Sequence, residues 1–326
     1  CQEALNLLES MPESVELASL CSDRAWMQWY VGDFDAARLS AEKAIELAER
    51  LNAQDVVADS YCKLGVAVRP RDPKKAIECH KRALKIALEN NCLEVAVRAY
   101  NGLALSLPLR ESREPLEKGY ELARKVGHIW YQSRIGGNLA WRMMISGDID
   151  KGLSLAEEQL ALARKAGQLS NISFGLRNVG YAYLLLGEYE KSEQYISEAL
   201  SISRKLKDFQ QTGNNTGTIG LLYLSKGEHA KAAESLQELL AAMDHAMHRE
   251  KTEGIDLLGW RFYGWLVPAY IELGEIDKAD NQIDILRRSA VEMADEELTA
   301  TANTLKAMVL RAQKKWDESI KLFEKS

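Results

Sequence analysis

Five near-copies of one six-residue turn recur along the chain, each a glycine followed by an acidic residue. The copies begin at Gly32, Gly147, Gly187, Gly227 and Gly274. Glycine suits the left-handed residue that follows a helix C-terminus, and an acidic residue favours the first turn of the next helix. Three successive copies are spaced 40 residues apart. A repeat of this length, with one helix ending and another beginning at each turn, predicts a helical solenoid.

A second marker closes the other helix of each unit. It places small residues at fixed positions, which are Ala48, Ala87, Ala123, Ala163 and Ser203. Basic side chains follow these residues in several copies, where a helix C-terminus favours positive charge. Together the two markers predict an all-α chain of eight helical hairpins, with a further half unit at Cys1–Ser10.

Further recurring residues resemble a known family. Gly180-Tyr-Ala-Tyr183, Gly220-Leu-Leu-Tyr223 and Gly65-Val-Ala-Val68 are similar to the first-helix Gly-x-x-Tyr element of the tetratricopeptide repeat, and Ala44, Ala83 and Ala199 to its second-helix alanine. The resemblance covers essentially the whole chain and implies a right-handed superhelix of antiparallel hairpins. The period of about 40 exceeds the usual 34 residues, and the usual first-helix tryptophan is mostly absent. Long units of this kind resemble the arrays of large signalling ATPases, cyclase-linked regulators, peptide-sensing bacterial regulators and kinesin light chains.

Composition fits one continuous array better than two globular domains. Apolar residues make up 46% and charged residues 28% of the chain, and no linker-like segment divides it. We therefore expect residues 1–326 to form one solenoid. Because the chain starts without Met and inside a hairpin, we expect it to be part of a longer multidomain protein.

Charge and cysteine content exclude several settings. The net charge is −6 with interspersed signs, whereas a nucleic-acid footprint needs clustered Lys and Arg. No apolar run is long enough to span a membrane. Five irregularly spaced cysteines predict reduced core thiols, and hence a cytoplasmic protein.

Motifs for catalysis and cofactor binding are missing. The chain has no phosphate-binding loop, nucleophile elbow or zinc-protease motif, so we predict neither an enzyme nor a cofactor. His245 and His248 lie three residues apart and could share a metal, but solvated surface histidines explain them equally well. We predict no metal site.

The first helices of the hairpins carry the candidate binding residues. The resemblance implies that helix positions two, six and nine face an inner groove, and steps of four and three keep them on one side of a helix. The predicted groove residues are Arg134, Asn138, Trp141, Arg177, Asn178, Tyr181, Asn214, Thr218, Arg261 and Trp265. Asparagine offers both a donor and an acceptor to a peptide backbone, arginine can bind a carboxylate, and aromatic rings anchor side chains. The alternative is that these aromatics pack the array and the asparagines merely line it.

Two functions follow from this pattern. The first is a scaffold that binds a protein or peptide in the groove. The second is an effector-sensing array within a multidomain signalling ATPase, cyclase or transcription regulator.

One unit is seven residues longer than its neighbours, which predicts extended helices at Met243–Arg249 and Glu253–Gly259 and an aromatic cluster of Trp260, Phe262, Tyr263 and Trp265.

Overall fold

The computed structural model describes residues 13–30, 33–250, 260–293 and 296–324. Over these ranges the chain forms sixteen α-helices, one short 3-10 turn at Leu109–Glu111 and no β-strand. The prediction of an all-α chain built from eight hairpins is confirmed within the described residues. The half unit predicted at Cys1–Ser10 lies outside them.

The structure divides into two compact units, the first ending at Gly175 and the second beginning at Leu176. The helices of unit 1 are α1 (Val15–Tyr30), α2 (Phe34–Arg50), α3 (Gln54–Val68), α4 (Pro73–Glu89), α5 (Leu93–Ser106), α6 (Arg113–Val126), α7 (Ile129–Ile145) and α8 (Ile149–Lys165). Helix α9 (Leu169–Leu185) begins in unit 1 and ends in unit 2. Unit 2 continues with α10 (Tyr189–Leu206), α11 (Phe209–Ser225), α12 (His229–Glu250), α13 (Trp260–Glu272), α14 (Ile276–Met293), α15 (Glu296–Ala312) and α16 (Trp316–Phe323).

The repeated turn has one geometry wherever it is described. Gly147, Gly187, Gly227 and Gly274 have φ between 73° and 94°, the left-handed region predicted for a residue that ends a helix. The N–H of the acidic residue after each glycine bonds to a carbonyl five residues earlier, as in Glu188 N–H to Tyr183 O at 2.9 Å. This closes the last turn of the helix. The resulting three-residue connection forces the next helix to run back antiparallel.

A lysine and a tyrosine reinforce this turn in unit 2. Lys191 pairs with Glu188 at 2.5 Å, and its ammonium lies 5.0 Å from the centroid of the Tyr183 ring. The same arrangement recurs twice more, in Lys231 with Tyr223 and Lys278 with Tyr270. The hydrogen bond to Glu188 raises the pKa of Lys191. The Gly-x-x-Tyr element therefore supplies the turn with both a carbonyl acceptor and a ring for the lysine.

The small residues of the second marker lie in the buried interior of the helical array. Ala48, Ala87, Ala123, Ala163 and Ser203 are all fully buried. A larger side chain at such a position would force the helices apart, because interiors are already packed to crystal-like density. Their burial confirms the second marker as a packing signal.

The long unit contains an extended helix. Helix α12 has 22 residues, against 18 in α10 of the preceding hairpin. The predicted extension through Met243–Arg249 is therefore confirmed in the backbone, whereas Glu253–Gly259 lies outside the described residues. No helix in the described part of the chain is both long and apolar enough to cross a lipid bilayer.

Candidate functional site

The first helices of unit 1 pack against one another in chain order. Helix α1 packs on α3, α3 on α5 and α5 on α7, in addition to the contacts within each hairpin. This arrangement aligns one face of all four helices. We call the surface that carries Asp23, Lys63, Arg98, Asn101 and Asn138 the inner face of unit 1.

Ion pairs cross the inner face from helix to helix. The Lys63 side chain is 6% exposed, and its ammonium lies 2.8 Å from Asp23 Oδ1 and 2.7 Å from Asp59 Oδ2. Asp59 also pairs with Arg98, whose Nε donates to the Tyr131 hydroxyl at 2.6 Å. A lysine this deeply buried is tolerated because two carboxylates compensate its charge. These pairs fix the side chains of α1, α3, α5 and α7 relative to one another.

An amide pair lies beside this network. Asn138 Nδ2 on α7 donates to Asn101 Oδ1 on α5 at 2.9 Å, and both side chains are partly exposed. The Arg134 guanidinium carbon lies one turn earlier, 4.4 Å from the centroid of the Phe174 ring. Trp141 is partly buried, and the Arg142 guanidinium carbon lies 4.8 Å from its ring centroid. The predicted residues Arg134, Asn138 and Trp141 thus share unit 1 with Asn101.

In unit 2 the prediction for Asn178 needs correction. We expected its side chain to open onto the groove, whereas it is fully buried. Its Oδ1 accepts a hydrogen bond from Arg177 Nη2 at 3.3 Å. On the same helix, Gly180 packs closely against Ile196 of α10, where an added Cβ would lie 2.6 Å from the isoleucine side chain. Asn178 therefore positions Arg177, which is partly exposed.

The other predicted residues of unit 2 vary in exposure. Tyr181 and Asn214 are partly exposed, but Thr218 is buried and donates its hydroxyl to the Asn214 carbonyl at 2.8 Å. Trp265 packs against the apolar core formed by α12 to α15. The side chains of Arg261, Trp260, Phe262 and Tyr263 lie outside the described residues, as do those of His245 and His248.

Sequence reasoning did not identify a cavity at the ends of α2, α3 and α4. It measures about 660 Å³ and is lined by Glu49, Gln54, Val57, Lys81, Arg82, Lys85, Ile86 and Glu89. Arg82 bonds to Glu49 at 3.2 Å, and its guanidinium carbon lies 4.5 Å from the Tyr61 ring centroid. The charged side chains that line this cavity are well exposed. We regard it as a solvated, salt-bridged surface.

The fold defines a class, the helical-repeat solenoid proteins. Residues 171–244 match the tetratricopeptide repeat family model. Residues 171–244 thus form a tetratricopeptide-type repeat segment, as the recurring turns of the sequence predict. Comparison with curated proteins finds no match.

Solved structures share the fold at low sequence identity. A signal transduction ATPase with numerous domains and a tetratricopeptide repeat sensor, from Pyrococcus horikoshii, is 17% identical with a TM-score of 0.53 over 90% of this chain and 44% of its own. Aspartyl phosphate phosphatase F from Bacillus subtilis is 12% identical with a TM-score of 0.64, covering 74% of this chain and 63% of its own. The Rap conjugation gene regulator of plasmid pLS20, solved with the Phr* peptide, is 13% identical with a TM-score of 0.54, covering 82% and 76%. This chain thus spans less than two thirds of the length of the ATPase and of the phosphatase.

Proposed function

We propose that the chain is a binding scaffold and that the inner face of unit 1 holds an extended peptide segment of a partner protein. The observation that carries this proposal is the amide pair between Asn138 and Asn101 on neighbouring helices. That hydrogen bond uses one donor of Asn138 and one acceptor of Asn101. The Asn138 carbonyl and the Asn101 amide can still accept from and donate to a peptide backbone.

The neighbouring side chains add selectivity. Arg134 holds its planar guanidinium against Phe174, an arrangement that suits bidentate binding of a carboxylate. Trp141 on the next turn provides a flat anchor at low entropic cost. Tyr181, Arg177 and Asn214 in unit 2 are candidates for a second contact region, and the Rap regulator solved with a peptide shares this fold.

We place this scaffold in the cytoplasm and assign it no catalytic role. Cys21, Cys62 and Cys79 are free and buried. Burial raises the pKa of the Cys62 thiol to about 12 and that of Cys79 to about 11, so both stay protonated and unreactive at neutral pH. No three His, Cys, Asp or Glu side chains gather into a metal-binding group in the described ranges.

The test starts from peptides selected on the full-length chain from a display library. Replacing Asn138 with Ala should weaken binding of a selected peptide by about fivefold, since a lost hydrogen bond of this kind is worth about 1 kcal/mol. The free energy of unfolding should fall by less than about 1 kcal/mol, because both amides are partly exposed.

The matched control is Asn281→Ala, at an exposed asparagine of α14 outside the inner face. It should leave both the dissociation constant and the stability unchanged. Equal binding by the Asn138→Ala, Asn101→Ala and wild-type chains would contradict a binding role for the inner face.

A second function is favoured by one comparison. The structural similarity to the ATPase described as having a repeat sensor covers 90% of this chain. In a sensor, bound peptide should alter amide hydrogen exchange in helices remote in sequence from the inner face, such as α14 and α15. A scaffold should show protection only at the inner face, so this measurement separates the two functions.

A further inference from the structure

A tryptophan pair extends the inner face of unit 1 along α1. The rings of Trp26 and Trp29 stack with centroids 4.8 Å apart and planes inclined by 28°. Trp26 remains 39% exposed, although large aromatic side chains are usually well covered. Trp26 therefore presents part of its electron-rich indole to solvent, stacked beside the partly exposed Trp29.

A carboxylate accompanies this pair. Asp23 lies one turn before Trp26 on the same face of α1. Its side chain is 69% exposed while Oδ1 accepts from Lys63. Lys63 is buried between Asp23 and Asp59, and Arg98 also pairs with Asp59, so Asp23 is the more exposed of the two carboxylates in this group.

We propose that Asp23, Trp26 and Trp29 bind a Lys or Arg side chain of the partner peptide. A cation is attracted to the face of an indole ring and, at this position, also to the adjacent carboxylate. An anionic side chain would be repelled by Asp23, and an apolar one would cover the carboxylate without pairing it. This inference rests on the proposed function and names the chemistry of one partner residue.

The same contacts explain why the site is preformed. The Lys63 bridge ties Asp23 to α3, and Ser22 beside it donates to Asp59 Oδ2 at 3.2 Å. Stacking restricts the rotamers of both tryptophans. A basic side chain would therefore dock without a rearrangement of α1, which lowers the entropic cost of binding.

The probe is a fluorescein-labelled Gly-Ser-Lys-Gly-Ser-Lys peptide, titrated against the full-length chain at low ionic strength. Trp26→Ala should raise its dissociation constant about fivefold, and Trp26→Phe should retain most of the binding. Asp23→Asn should also weaken binding and flatten its dependence on salt. Trp316→Ala is the matched control, because Trp316 is exposed on α16 in unit 2 and should not affect binding.

Two matched peptides, with norleucine or glutamate in place of lysine, define the required charge. Both should bind more weakly than the lysine peptide. Binding of either as tightly as the lysine peptide would overturn the proposal, as would unchanged affinity in both Trp26→Ala and Asp23→Asn. Equal binding of spermidine at the same molar concentration would also overturn it, because the site would then hold a small polyamine.

This outcome is separable from that of the proposed function. Asn138→Ala tests the groove with library-selected peptides, whereas the Trp26 and Asp23 variants are tested with the lysine peptide. If only Asn138→Ala weakens binding of its peptide, the groove function stands and the cation site is wrong. Thermal unfolding of each variant identifies any effect that comes from lost stability, and Trp26→Phe provides the variant least disturbing to the fold.

Discussion

His80 is the residue whose role in the structure is least visible in the sequence. It is fully buried on α4, and its ring lies between Gly65 on α3 and Gly102 on α5. A Cβ atom added to Gly102 would come within 2.4 Å of the His80 ring. The two glycines therefore make room for a flat imidazole where three helices meet. In unit 2 the corresponding contacts are apolar, with Ile196 against Gly180 and Leu236 against Gly220.

This placement predicts acid sensitivity of the fold. Burial, with a smaller contribution from the charge of Arg69, lowers the pKa of His80 to about 3 from an unfolded value of 6.5. Between these values the unfolded chain binds a proton that the folded chain does not. Stability from this site is thus fully present above pH 6.5 and is lost as the pH falls, by up to about 1.4 kcal/mol per unit.

His80→Leu should remove the contribution of His80 to the dependence of the unfolding free energy on pH. Leucine should fit there, since Leu236 fills the equivalent position against Gly220 in unit 2. The measurement is urea unfolding of both chains at several pH values between 7.5 and 4.5, the interval in which the unfolded histidine titrates. The slope is the readout, so a change in absolute stability does not obscure it. Identical slopes in the two chains would show that His80 contributes nothing to acid sensitivity.

At the scale of the helix, sequence predicts turns better than surfaces. A backbone φ near +75° favours glycine whatever packs around it. Gly187 and Gly227 therefore identify their turns without knowledge of the neighbouring helices. Exposure depends instead on what packs beside a residue. Asn138 and Asn178 occupy equivalent positions 40 residues apart, yet one is partly exposed and the other fully buried. The period alone could not distinguish them.

Lys207 offers a test of the second marker. It ends α10 in the left-handed region with φ 55°, where the equivalent residues are Asn52, Asn91, Gly127 and Gly167. A residue with a Cβ in this conformation costs about 1 kcal/mol relative to glycine. Lys207→Gly should therefore raise the free energy of unfolding by about 1 kcal/mol.

Lys205→Gly is the control, two residues earlier in the last helical turn. It should lower stability by about 1 kcal/mol, because glycine is a poor helix former there. Urea unfolding of both variants checks the pair. Equal effects of the two substitutions would show that the left-handed position carries no strain.

At the scale of the molecule, the helices that contact one another are close together in the sequence. Helices of the described chain that pack extensively are neighbours or next-but-one neighbours, such as α1 with α2 and α1 with α3. A repeat array with such contacts derives its stability from each unit and its interfaces with adjacent units. That residues 1–326 form one continuous solenoid with a right-handed superhelix stays a prediction of the sequence.

Local contacts predict that damage to one repeat stays local. Leu116 on α6 in unit 1 and Ile283 on α14 in unit 2 are both fully buried. Replacing either with Ala should cost about 2–5 kcal/mol where it packs. Amide hydrogen exchange should accelerate in α6 and α7 for Leu116→Ala, and in α14 and α15 for Ile283→Ala, while the distant helices keep their wild-type protection. The two variants control for each other. A uniform loss of protection in both would mean that the chain unfolds as one cooperative globule, because only a shared core would transmit the loss of one side chain to helices it does not contact.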